Sequence, residues 1–313
     1  MFQLRNKKLK NLKSKKNIGI VITHDCNQQC SYCFETKQKR VITKEVIDKI
    51  SEKIENKKDN TIYLWGGEPF LQIELCNYIG EKFDKCNLFL STNGTIFNGE
   101  INDFIEKNKK RLTLQISLDG LPNGERPLEQ ITIENLDKFK SLINFNIQAT
   151  ITSKRIRTLI EDFFFLKEHS FNIRHKLLDN PEIYTEEDLL LFLQEWKELK
   201  RIYRSMNYKH YLQMFHYVIK KVKKHFCSAG ITEITFDIDG KVYPCLTAAN
   251  KKIIELKNDK DFENWFNFNK LSSISDVFCS YADCFNCILN KDRKESEQLT
   301  NFAKELIKIN EGN

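Results

Sequence analysis

The sequence contains no run of eighteen apolar residues, which argues against a membrane-spanning helix. Its first fifteen residues are basic and lack the apolar stretch that a secretory signal requires. No internal repeat or low-complexity tract is visible either. These absences predict a cytoplasmic protein without a membrane partner. With 313 residues, 41% of them hydrophobic, the chain can form one large domain, or one domain with an appendage.

Acidic residues are missing from segment 4–16, "LRNKKLKNLKSKK", which carries seven Lys and Arg in a chain of formal net charge +7. One interpretation is a solvated N-terminal tail, placed at residues 1–15, because charge runs at termini are usually solvated. The other is a contact for an acidic partner, either a peptide or a nucleic acid. We expect the solvated tail, and we do not expect nucleic acid as a partner.

Cysteine is absent from a middle stretch of about 140 residues and frequent on both sides of it. In a chain without an export signal, ten cysteines indicate metal or redox chemistry rather than structural disulfides. Cys76 and Cys86 fall on helical and strand-like patterns, so we expect them to be small buried hydrophobic residues. The other cysteines form an N-terminal and a C-terminal group, which predicts two metal sites in two structural units. Their positions are 26, 30 and 33, and 227, 245, 279, 284 and 287.

Strand-like and helix-period segments alternate over residues 17–178, which indicates an α/β fold with a mostly parallel sheet. Six such units are too few for a closed eight-fold barrel, so we expect a partial barrel or a doubly wound sheet. Thr43 is a predicted helix N-cap, and "TSKR" (152–155) is another plausible cap region. The predicted strands are 17–24, 61–67, 87–94, 112–120, 145–152 and 171–178. The predicted helices are 43–57, 70–84, 99–109, 132–143 and 155–168.

Small, polar or metal-binding residues follow four consecutive predicted strands. They are the first cysteine group, "GGEP" (66–69), "STNG" (91–94) and "SLDG" (117–120). Both candidate folds bind ligands at the carboxyl ends of their strands. We therefore expect these four segments to converge on one site.

The second half of the chain has a different pattern. Residues 185–225 predict two helices, in which aromatic and Leu residues recur at helical spacing, as is typical of packing. His210 and His216 lie in the second helix without an apparent partner, so we do not expect them to bind metal. From Cys227 onwards the pattern changes to short strands around "EITFDIDGKVYPC", with a turn at Asp239–Gly240.

The spacing Cys26-x3-Cys30-x2-Cys33 places three thiolates on one short loop after a strand. A structural zinc site needs four ligands, usually from two Cys-x2-Cys pairs, and no second pair is near in the sequence. A [4Fe–4S] cluster offers four irons to cysteine thiolates. Three protein ligands would leave one iron open to a substrate or cofactor.

This motif, with the aromatic Tyr32 before its last cysteine, resembles that of the radical SAM enzymes. "WGGEP" (65–69) resembles the family's glycine-rich motif at the second strand, and "STNG" and "SLDG" resemble its later strand-end motifs. The resemblance covers residues 16–180 and implies a partial (β/α)6 TIM-like barrel, which we place at residues 16–205. It also implies the family chemistry: S-adenosylmethionine binds the open iron and is cleaved by one electron to a 5′-deoxyadenosyl radical, which abstracts a substrate hydrogen.

The resemblance assigns roles to individual residues. Cys26, Cys30 and Cys33 would bind the [4Fe–4S] cluster. Gly66 and Gly67 would let backbone carbonyls approach the ammonium group of S-adenosylmethionine, because neither residue has a Cβ.

The remaining roles are less specific. Glu68 would either orient neighbouring groups or accept from the ammonium group directly, and we prefer the orienting role. Ser117 would bind the cofactor, and Asp119 is a candidate catalytic residue. Asn93 would contact the cofactor or bond its own turn, and His24 would either tune a cluster sulfur or be structural. Further candidate cofactor-binding residues are Tyr32, Phe34 and Pro69.

The C-terminal cysteines resemble a second module of this family. Gly240-x4-Cys245 is similar to the opening of the SPASM and shorter twitch domains, which carry auxiliary clusters. Because a full SPASM domain uses seven cysteines and five are present, one auxiliary [4Fe–4S] cluster in a twitch-like domain at residues 206–313 fits better. A zinc site from the same ligands is the competing interpretation. The expected ligands are Cys227, Cys245, Cys284 and Cys287, with Cys279 as a spare or alternate.

The favoured function is oxidative modification or cross-linking of a ribosomally synthesised peptide. The basic charge suits an acidic leader peptide. No peptide-recognition domain fits before the first strand, so leader recognition would need another site or a separate protein. An external one-electron reductant of the flavodoxin or ferredoxin type is also expected.

The alternative function is a twitch-type dehydrogenase that oxidises a small molecule or a protein side chain. The sulfatase-maturing type resembles this chain less, because Leu246 rather than Asp follows Cys245. Asp237 and Asp239 are candidate bases, and Asp237 is preferred because Asp239 is expected in the turn. A non-enzymatic iron–sulfur or redox-sensing protein is the third possibility, which the intact cofactor motifs disfavour.

Overall fold

A computed structural model of the chain describes residues 16–170, 172–177, 184–206, 211–213, 233–243, 246, 249, 301–302, 304–306 and 308–309. The chain forms two compact units. One comprises Met1–Leu114 with Cys227–Ala282, and the other comprises Gln115–Phe226 with Asp283–Asn313, as far as their residues are described. The boundaries predicted at residues 15/16 and 205/206 stay predictions.

The elements follow the predicted alternation of strands and helices. The strands are β1 (Asn17–Thr23), β2 (Thr61–Gly66), β3 (Asn87–Thr92), β4 (Leu112–Ser117), β5 (Phe145–Ile151), β6 (Ile173–Leu177), β7 (Tyr211–Gln213), β8 (Glu233–Phe236) and β9 (Val242–Tyr243). The helices are α1 (Lys44–Lys53), α2 (Ile73–Lys82), α3 (Gly99–Asn108), α4 (Gln130–Leu142), α5 (Leu159–His169) and α6 (Glu186–Ser205). Short 3₁₀ helices at Pro69–Gln72 and Lys154–Thr158 precede α2 and α5.

In the first unit, β1 lies between β2 and β8 and is parallel to both. The register sets Ile18 beside Ile62 and Ile234, and β2 continues in parallel to β3. Ile18, Ile62 and Ile234 are fully buried, since this face of the strands is covered. The opposite face carries half-buried aromatic side chains, with ring centroids of Tyr63 and Phe89 4.8 Å apart. β9 is antiparallel to β8 and closes a tight turn.

In the second unit, β5, β6 and β7 are parallel neighbours. Thr185 caps α6, with the Thr185 hydroxyl and the Asp188 carboxylate each accepting from the other residue's backbone N–H. One face of α6 buries Trp196 and Tyr203 completely, and the Tyr203 hydroxyl lies 3.0 Å from Nδ1 of the buried His175 on β6. Packing of large aromatic residues therefore fixes α6.

The structure confirms the fold class, a mixed α/β fold with an open, mostly parallel sheet like that of a partial TIM barrel. Thr43 caps α1 as predicted, since its side chain accepts from the Val46 N–H. Cys76 and Cys86 are both fully buried, also as predicted. No helix among the described residues is long and apolar enough to cross a membrane.

Two predictions are wrong in part. A helix was expected from residue 210, but residues 211–213 form β7, which pairs with β6 in parallel. The other positions of the expected helix, including His210 and His216, lie outside the described residues. Lys16 ends the basic run that we expected to be solvated, yet it is only 3% exposed. It lies next to β1, where its carbonyl accepts from the Thr61 N–H.

Candidate cofactor site

The first cysteine group lies on a loop whose two ends are joined at the end of β1. The His24 N–H donates to the Arg40 carbonyl at 3.0 Å, and the Ile42 N–H donates to the Ile22 carbonyl at 2.9 Å. The Thr23 hydroxyl also donates to the Arg40 carbonyl, at 3.0 Å. We call residues 25–39 the cysteine loop and these contacts its neck. The hydrogen bonds of the neck hold both ends of the loop at the end of β1.

Within the loop, the three cysteines differ in burial. Cys26 and Cys30 are half-buried, and Cys33 is exposed. The Cys33 N–H donates to the Cys30 carbonyl at 3.1 Å, which makes a tight turn. The Gln28 N–H donates to Cys26 Sγ at 3.5 Å. Burial raises the pKa of the Cys26 thiol, and the hydrogen bond from Gln28 opposes this.

This donor set fits an iron–sulfur cluster. All three cysteines are free thiols on one loop, and thiolates are the usual ligands of such clusters. Among the described residues, no three His, Cys, Asp or Glu side chains are placed to share one metal ion. A cluster does not require that, because each thiolate binds a different iron.

The cysteine loop docks on the end of β2 through backbone atoms. The Gly67 N–H donates to the Thr23 carbonyl, and the Glu68 N–H donates to the Asp25 carbonyl, both at 2.9 Å. A Cβ on Gly67 would lie 2.2 Å from the Asp25 carbonyl oxygen, and one on Gly66 would lie 2.7 Å from that of Thr23. Only glycine allows this approach, so the two glycines are needed to seat the loop.

Glu68 is fully buried directly after the glycines. Its Oε1 accepts from the Phe70 N–H at 3.0 Å and from the Thr92 hydroxyl at 2.7 Å, and its Oε2 accepts from the Asn93 N–H at 2.7 Å. These donors are compatible with the orienting role, which stays a prediction. Glu68 thus ties the end of β3 to the glycine turn.

Asn93 makes its own turn and also faces the cysteine loop. Its Oδ1 accepts from the Thr95 N–H at 3.0 Å, which is the turn interaction expected for Asn-Gly. Its Nδ2 donates to Asn27 Oδ1 at 2.8 Å and lies 3.9 Å from Cys26 Sγ. The turn interpretation is therefore confirmed, and contact with the cofactor stays a prediction.

His24 lies between two carboxylates that sequence reasoning did not connect with it. It is 5% exposed; its Nδ1 is 3.2 Å from Glu35 Oε2, and its Nε2 is 2.9 Å from Asp237 Oδ1. Asp237, the candidate base, is fully buried at the end of β8. The predicted turn after it is present, with a Gly240 φ of 79°. Only the pairing of β8 with β1 brings Asp237 here, and no local signal could have indicated it.

In the second unit, Asp119 is buried two residues after β4 ends at the half-buried Ser117. Its Oδ1 accepts from the Thr150 N–H at 2.9 Å, and its Oδ2 accepts from Arg126 Nε at 3.1 Å. These contacts show a carboxylate that organises its surroundings. Its candidate catalytic role stays a prediction.

A buried ion pair beside Asp119 was not predicted. Arg155 Nη1 lies 3.0 Å from Asp162 Oδ2, and Asp162 Oδ1 accepts from the Leu121 N–H at 2.7 Å. Burial raises the pKa of Asp162, and the charge of Arg155 opposes this. Gly120, at a φ of +137°, lies against the Asp162 carboxylate. The pair holds the "SLDG" segment, and no sequence signal sets Arg155 and Asp162 apart from the charged residues beside them, Lys154, Arg157 and Glu161.

The other predicted site residues are dispersed. Pro69 is buried in the 3₁₀ turn after Glu68, Tyr32 is half-buried, and Phe34 is 61% exposed. The five C-terminal cysteines, Cys227, Cys245, Cys279, Cys284 and Cys287, lie outside the described residues.

Comparison with known proteins shows what this chain is similar to. Residues 20–161 match the sequence model of the Radical SAM superfamily. An uncharacterized protein of Methanocaldococcus jannaschii is 25% identical over 79% of this chain and 90% of its own length. A probable GTP 3′,8-cyclase of Saccharolobus islandicus is 23% identical over 74% of this chain and 82% of its own length.

Solved structures show the same fold at lower identity. The structure of anSMEcpe with bound AdoMet and Kp18Cys peptide superposes with a TM-score of 0.69 at 18% identity, covering 94% of this chain and 96% of that one. Streptococcus suis SuiB bound to precursor peptide SuiA gives a TM-score of 0.62 at 16% identity, covering 87% and 70%.

Proposed function

We propose that the chain, whose residues 20–161 match the model of the Radical SAM superfamily, binds a [4Fe–4S] cluster and S-adenosylmethionine and abstracts a hydrogen atom from a peptide substrate. The cluster and cofactor together would supply a strongly reactive radical when an external reductant delivers one electron. The protein's own task is to hold the cofactor, position the substrate and exclude water.

The seating of the cysteine loop on Gly66 and Gly67 carries this proposal. The loop backbone approaches the two glycines so closely that no side chain fits between them. Cys26 is thereby held beside the glycine turn, since its Cβ would lie 2.9 Å from an added Cβ on Gly67. The carbonyls of this turn are the proposed acceptors for the ammonium group of S-adenosylmethionine. Glu68 keeps the turn in place through its three hydrogen bonds.

The remaining roles are proposed residue by residue. Cys26, Cys30 and Cys33 bind three irons of the cluster. Ser117 contacts the cofactor, and Asp119 acts on cofactor or substrate. The other residues proposed to contact the cofactor are Tyr32, Phe34, Pro69 and Asn93.

The test is anaerobic incubation of the iron-reconstituted protein with S-adenosylmethionine and dithionite. We expect the wild-type protein to release 5′-deoxyadenosine and the Cys33→Ala variant to release none. Cys86→Ala is the matched control, because Cys86 is a buried cysteine away from the loop. A wild-type protein that binds iron but releases no 5′-deoxyadenosine would refute the proposed activity.

We propose a ribosomally made peptide as the substrate, modified by oxidation or cross-linking. Two observations support this: the fold is shared with proteins solved in complex with peptides, and the chain carries a formal charge of +7, which favours an acidic leader. A short precursor peptide encoded next to this gene would be the substrate to test, by mass spectrometry for loss of hydrogen. Without such a peptide, a twitch-type dehydrogenation of a small molecule or a protein side chain becomes the better assignment.

A second candidate substrate is a nucleoside triphosphate. It is favoured by relatives named as GTP 3′,8-cyclases, which are 23–26% identical to this chain. The same reaction mixture with GTP in place of the peptide separates the two. A GTP-derived product whose formation depends on S-adenosylmethionine would favour the cyclase-like function.

The auxiliary cluster is also a proposal. We assign Cys227, Cys245, Cys284 and Cys287 as its ligands, with Cys279 as an alternate. In a Cys26→Ala/Cys30→Ala/Cys33→Ala protein purified anaerobically, we expect roughly four irons per chain to remain. Zinc in place of iron would contradict the auxiliary cluster and support the zinc alternative.

A further inference from the structure

His24 joins the cysteine loop to β8. We propose that His24 is a positioning residue that holds the cysteine loop from both sides, and that Asp237 is its anchor and not a catalytic base. The proposal rests on the proposed cluster at the cysteine loop for its functional meaning. Its structural part depends only on contacts between protein atoms.

The first side of this arrangement is Glu35. Glu35 lies two residues after Cys33, on the return path of the loop, and its side chain is only 6% exposed. Its carboxylate meets His24 Nδ1 at 3.2 Å. The contact therefore spans the loop from its first end to the segment just beyond its last cysteine, with all three cysteines in between.

The second side is Asp237. β8 runs parallel to β1 with Ile20 beside Phe236, so Asp237 follows at the level where β1 approaches the loop. The Asp237 backbone is itself fixed, because its N–H donates to the Lys241 carbonyl and its carbonyl accepts from the Gly240 N–H, both at 2.9 Å. Its carboxylate, fully buried, meets His24 Nε2 at 2.9 Å. A rigid turn thus presents the anchor to His24.

His24 is in addition part of the neck. Its N–H donates to the Arg40 carbonyl, and its carbonyl accepts from the Gln38 N–H at 3.2 Å. Backbone and ring together give one residue four contacts that restrain the loop. Since cluster binding needs three sulfurs at fixed separations, a residue that restrains both ends of the loop sets how well those separations are kept.

This geometry differs from that of a base. Asp237 has no exposed surface, and its Oδ1 is occupied by His24. A carboxylate that anchors an imidazole needs only an acceptor oxygen, which asparagine also provides. A base needs a group that takes up a proton, which asparagine cannot do. The Asp237→Asn variant therefore separates the two roles.

The first measurement is hydrogen exchange of residues 25–39 in the full-length protein before iron is added. We expect His24→Ala and Asp237→Ala to speed exchange in this segment at least about 10-fold, because the restraint is lost. Asp237→Asn should exchange within about 3-fold of the wild type, since its Oδ1 can still accept from His24. Asp59→Ala is the matched control: Asp59 is an exposed aspartate of the same unit, and exchange in the loop should not change.

The second measurement is the iron content and the electron paramagnetic resonance spectrum of the reduced loop cluster. His24→Ala and Asp237→Ala should lose iron or broaden the signal, whereas Asp237→Asn should keep both. Unchanged exchange and iron content in His24→Ala would overturn the proposal. So would an Asp237→Asn protein that keeps the cluster and the 5′-deoxyadenosine yield but no longer modifies its substrate, since that pattern belongs to a base.

Should His24→Ala fail to fold, the comparison of Asp237→Asn with Asp237→Ala still decides the question. The result is also separable from the proposed function. If the wild-type protein released no 5′-deoxyadenosine, the proposed activity would fail, yet the exchange measurements would still support or reject the anchor.

Discussion

Gly67 is a residue at which one added carbon is expected to disrupt a backbone contact. Its missing Cβ leaves the space in which the Asp25 carbonyl lies, and backbone atoms cannot move aside as a flexible side chain can. The resemblance explained this glycine by contact with the cofactor. The structure adds a second reason, because the cysteine loop itself occupies the space.

We predict that Gly67→Ala lowers the free energy of unfolding by at least about 2 kcal/mol, because it overpacks a backbone contact. Cluster incorporation should fall with it. Urea unfolding and iron content measure the two effects. Gly99→Ala is the matched control: nothing lies within 4 Å of its added Cβ, and α3 should become more stable by up to about 1 kcal/mol. Equal stability of the two variants would contradict the proposed seating of the loop.

Lys16 provides a test of stability against pH. Burial, aided by the charge of Lys57, lowers the pKa of Lys16 from 10.5 to about 7. Between these values the unfolded chain binds more protons than the folded one, so the cost of burying the ammonium group is full below pH 7 and fades towards pH 10.5. Lys16→Met should therefore raise the melting temperature most at pH 6 to 7, with the gain shrinking towards pH 10. The exposed Lys110→Met is the control and should show no such trend.

Single residues also mark what the sequence could and could not predict. Cys26, Gly66 and Glu68 stand in motifs whose order along the chain indicates a shared site. The partners of His24 are 11 and 213 residues away, and no periodicity or spacing connects such positions. Only the observed pairing of β8 with β1 brings Asp237 to His24.

At the scale of elements, Arg111 joins the ends of two helices to the start of β3. Its guanidinium donates to the carbonyls of Gly80, Phe83 and Cys86 at 2.6–2.8 Å, and to Asn108 Oδ1 at 2.6 Å. These carbonyls lie at and beyond the end of α2, where no further helix N–H can reach them. One side chain thus satisfies the end of a helix and the connection that follows it.

We predict that Arg111→Met lowers the free energy of unfolding by about 2–4 kcal/mol, because it removes a donor from three carbonyls, of which that of Phe83 keeps a second donor, the Cys86 N–H at 3.1 Å. Arg111→Lys should restore only part of this, since an ammonium group cannot donate in the planar fork of a guanidinium. Chemical denaturation followed by circular dichroism measures both. Arg201→Met removes an exposed pair with Glu198 instead, and its unfolding midpoint should not move. A small change in the free energy of unfolding of Arg111→Met would show that water donates to these carbonyls in place of the guanidinium.

Helices and strands were predicted best where the alternation of strand-like and helix-like segments agrees with the turn and cap residues that bound them. β1 to β6 each lie within a predicted strand, because an apolar run bounded by turn residues fits a parallel strand. The helix predicted at residues 211–213 was wrong because a short aromatic and Leu-rich run fits either a helix or a strand. Here the pairing with β6 makes it a strand. The helix predicted from residue 70 begins with a 3₁₀ turn led by Pro69, whose fixed φ suits the first position of a helix.

At the scale of the whole molecule, the residues proposed to hold the loop cluster belong to one compact unit. Cys26, Cys30 and Cys33, with Gly66 and Gly67, all precede Leu114. Ligand binding stabilises the unit that carries the ligand-binding residues, by about 2.7 kcal/mol at a hundredfold excess over the dissociation constant.

We therefore predict that iron–sulfur reconstitution without S-adenosylmethionine slows hydrogen exchange in residues 16–114 more than in residues 115–170. The same treatment of the Cys26→Ala/Cys30→Ala/Cys33→Ala protein is the control, because any auxiliary cluster still forms there. Equal slowing in wild-type and control protein would show that the loop cluster does not stabilise this unit.

The docking of the cysteine loop has a consequence for protein engineering. Its contacts with the glycine turn are made by main-chain atoms of Thr23, Asp25, Gly67 and Glu68, and every residue except proline supplies the same main-chain donor and acceptor. A loop of equal length from a distant relative that keeps Asn27 and Glu35 would meet the same partners here. The loop is in that sense an exchangeable part, and chimeras could transfer its redox behaviour without redesign of the sheet beneath it.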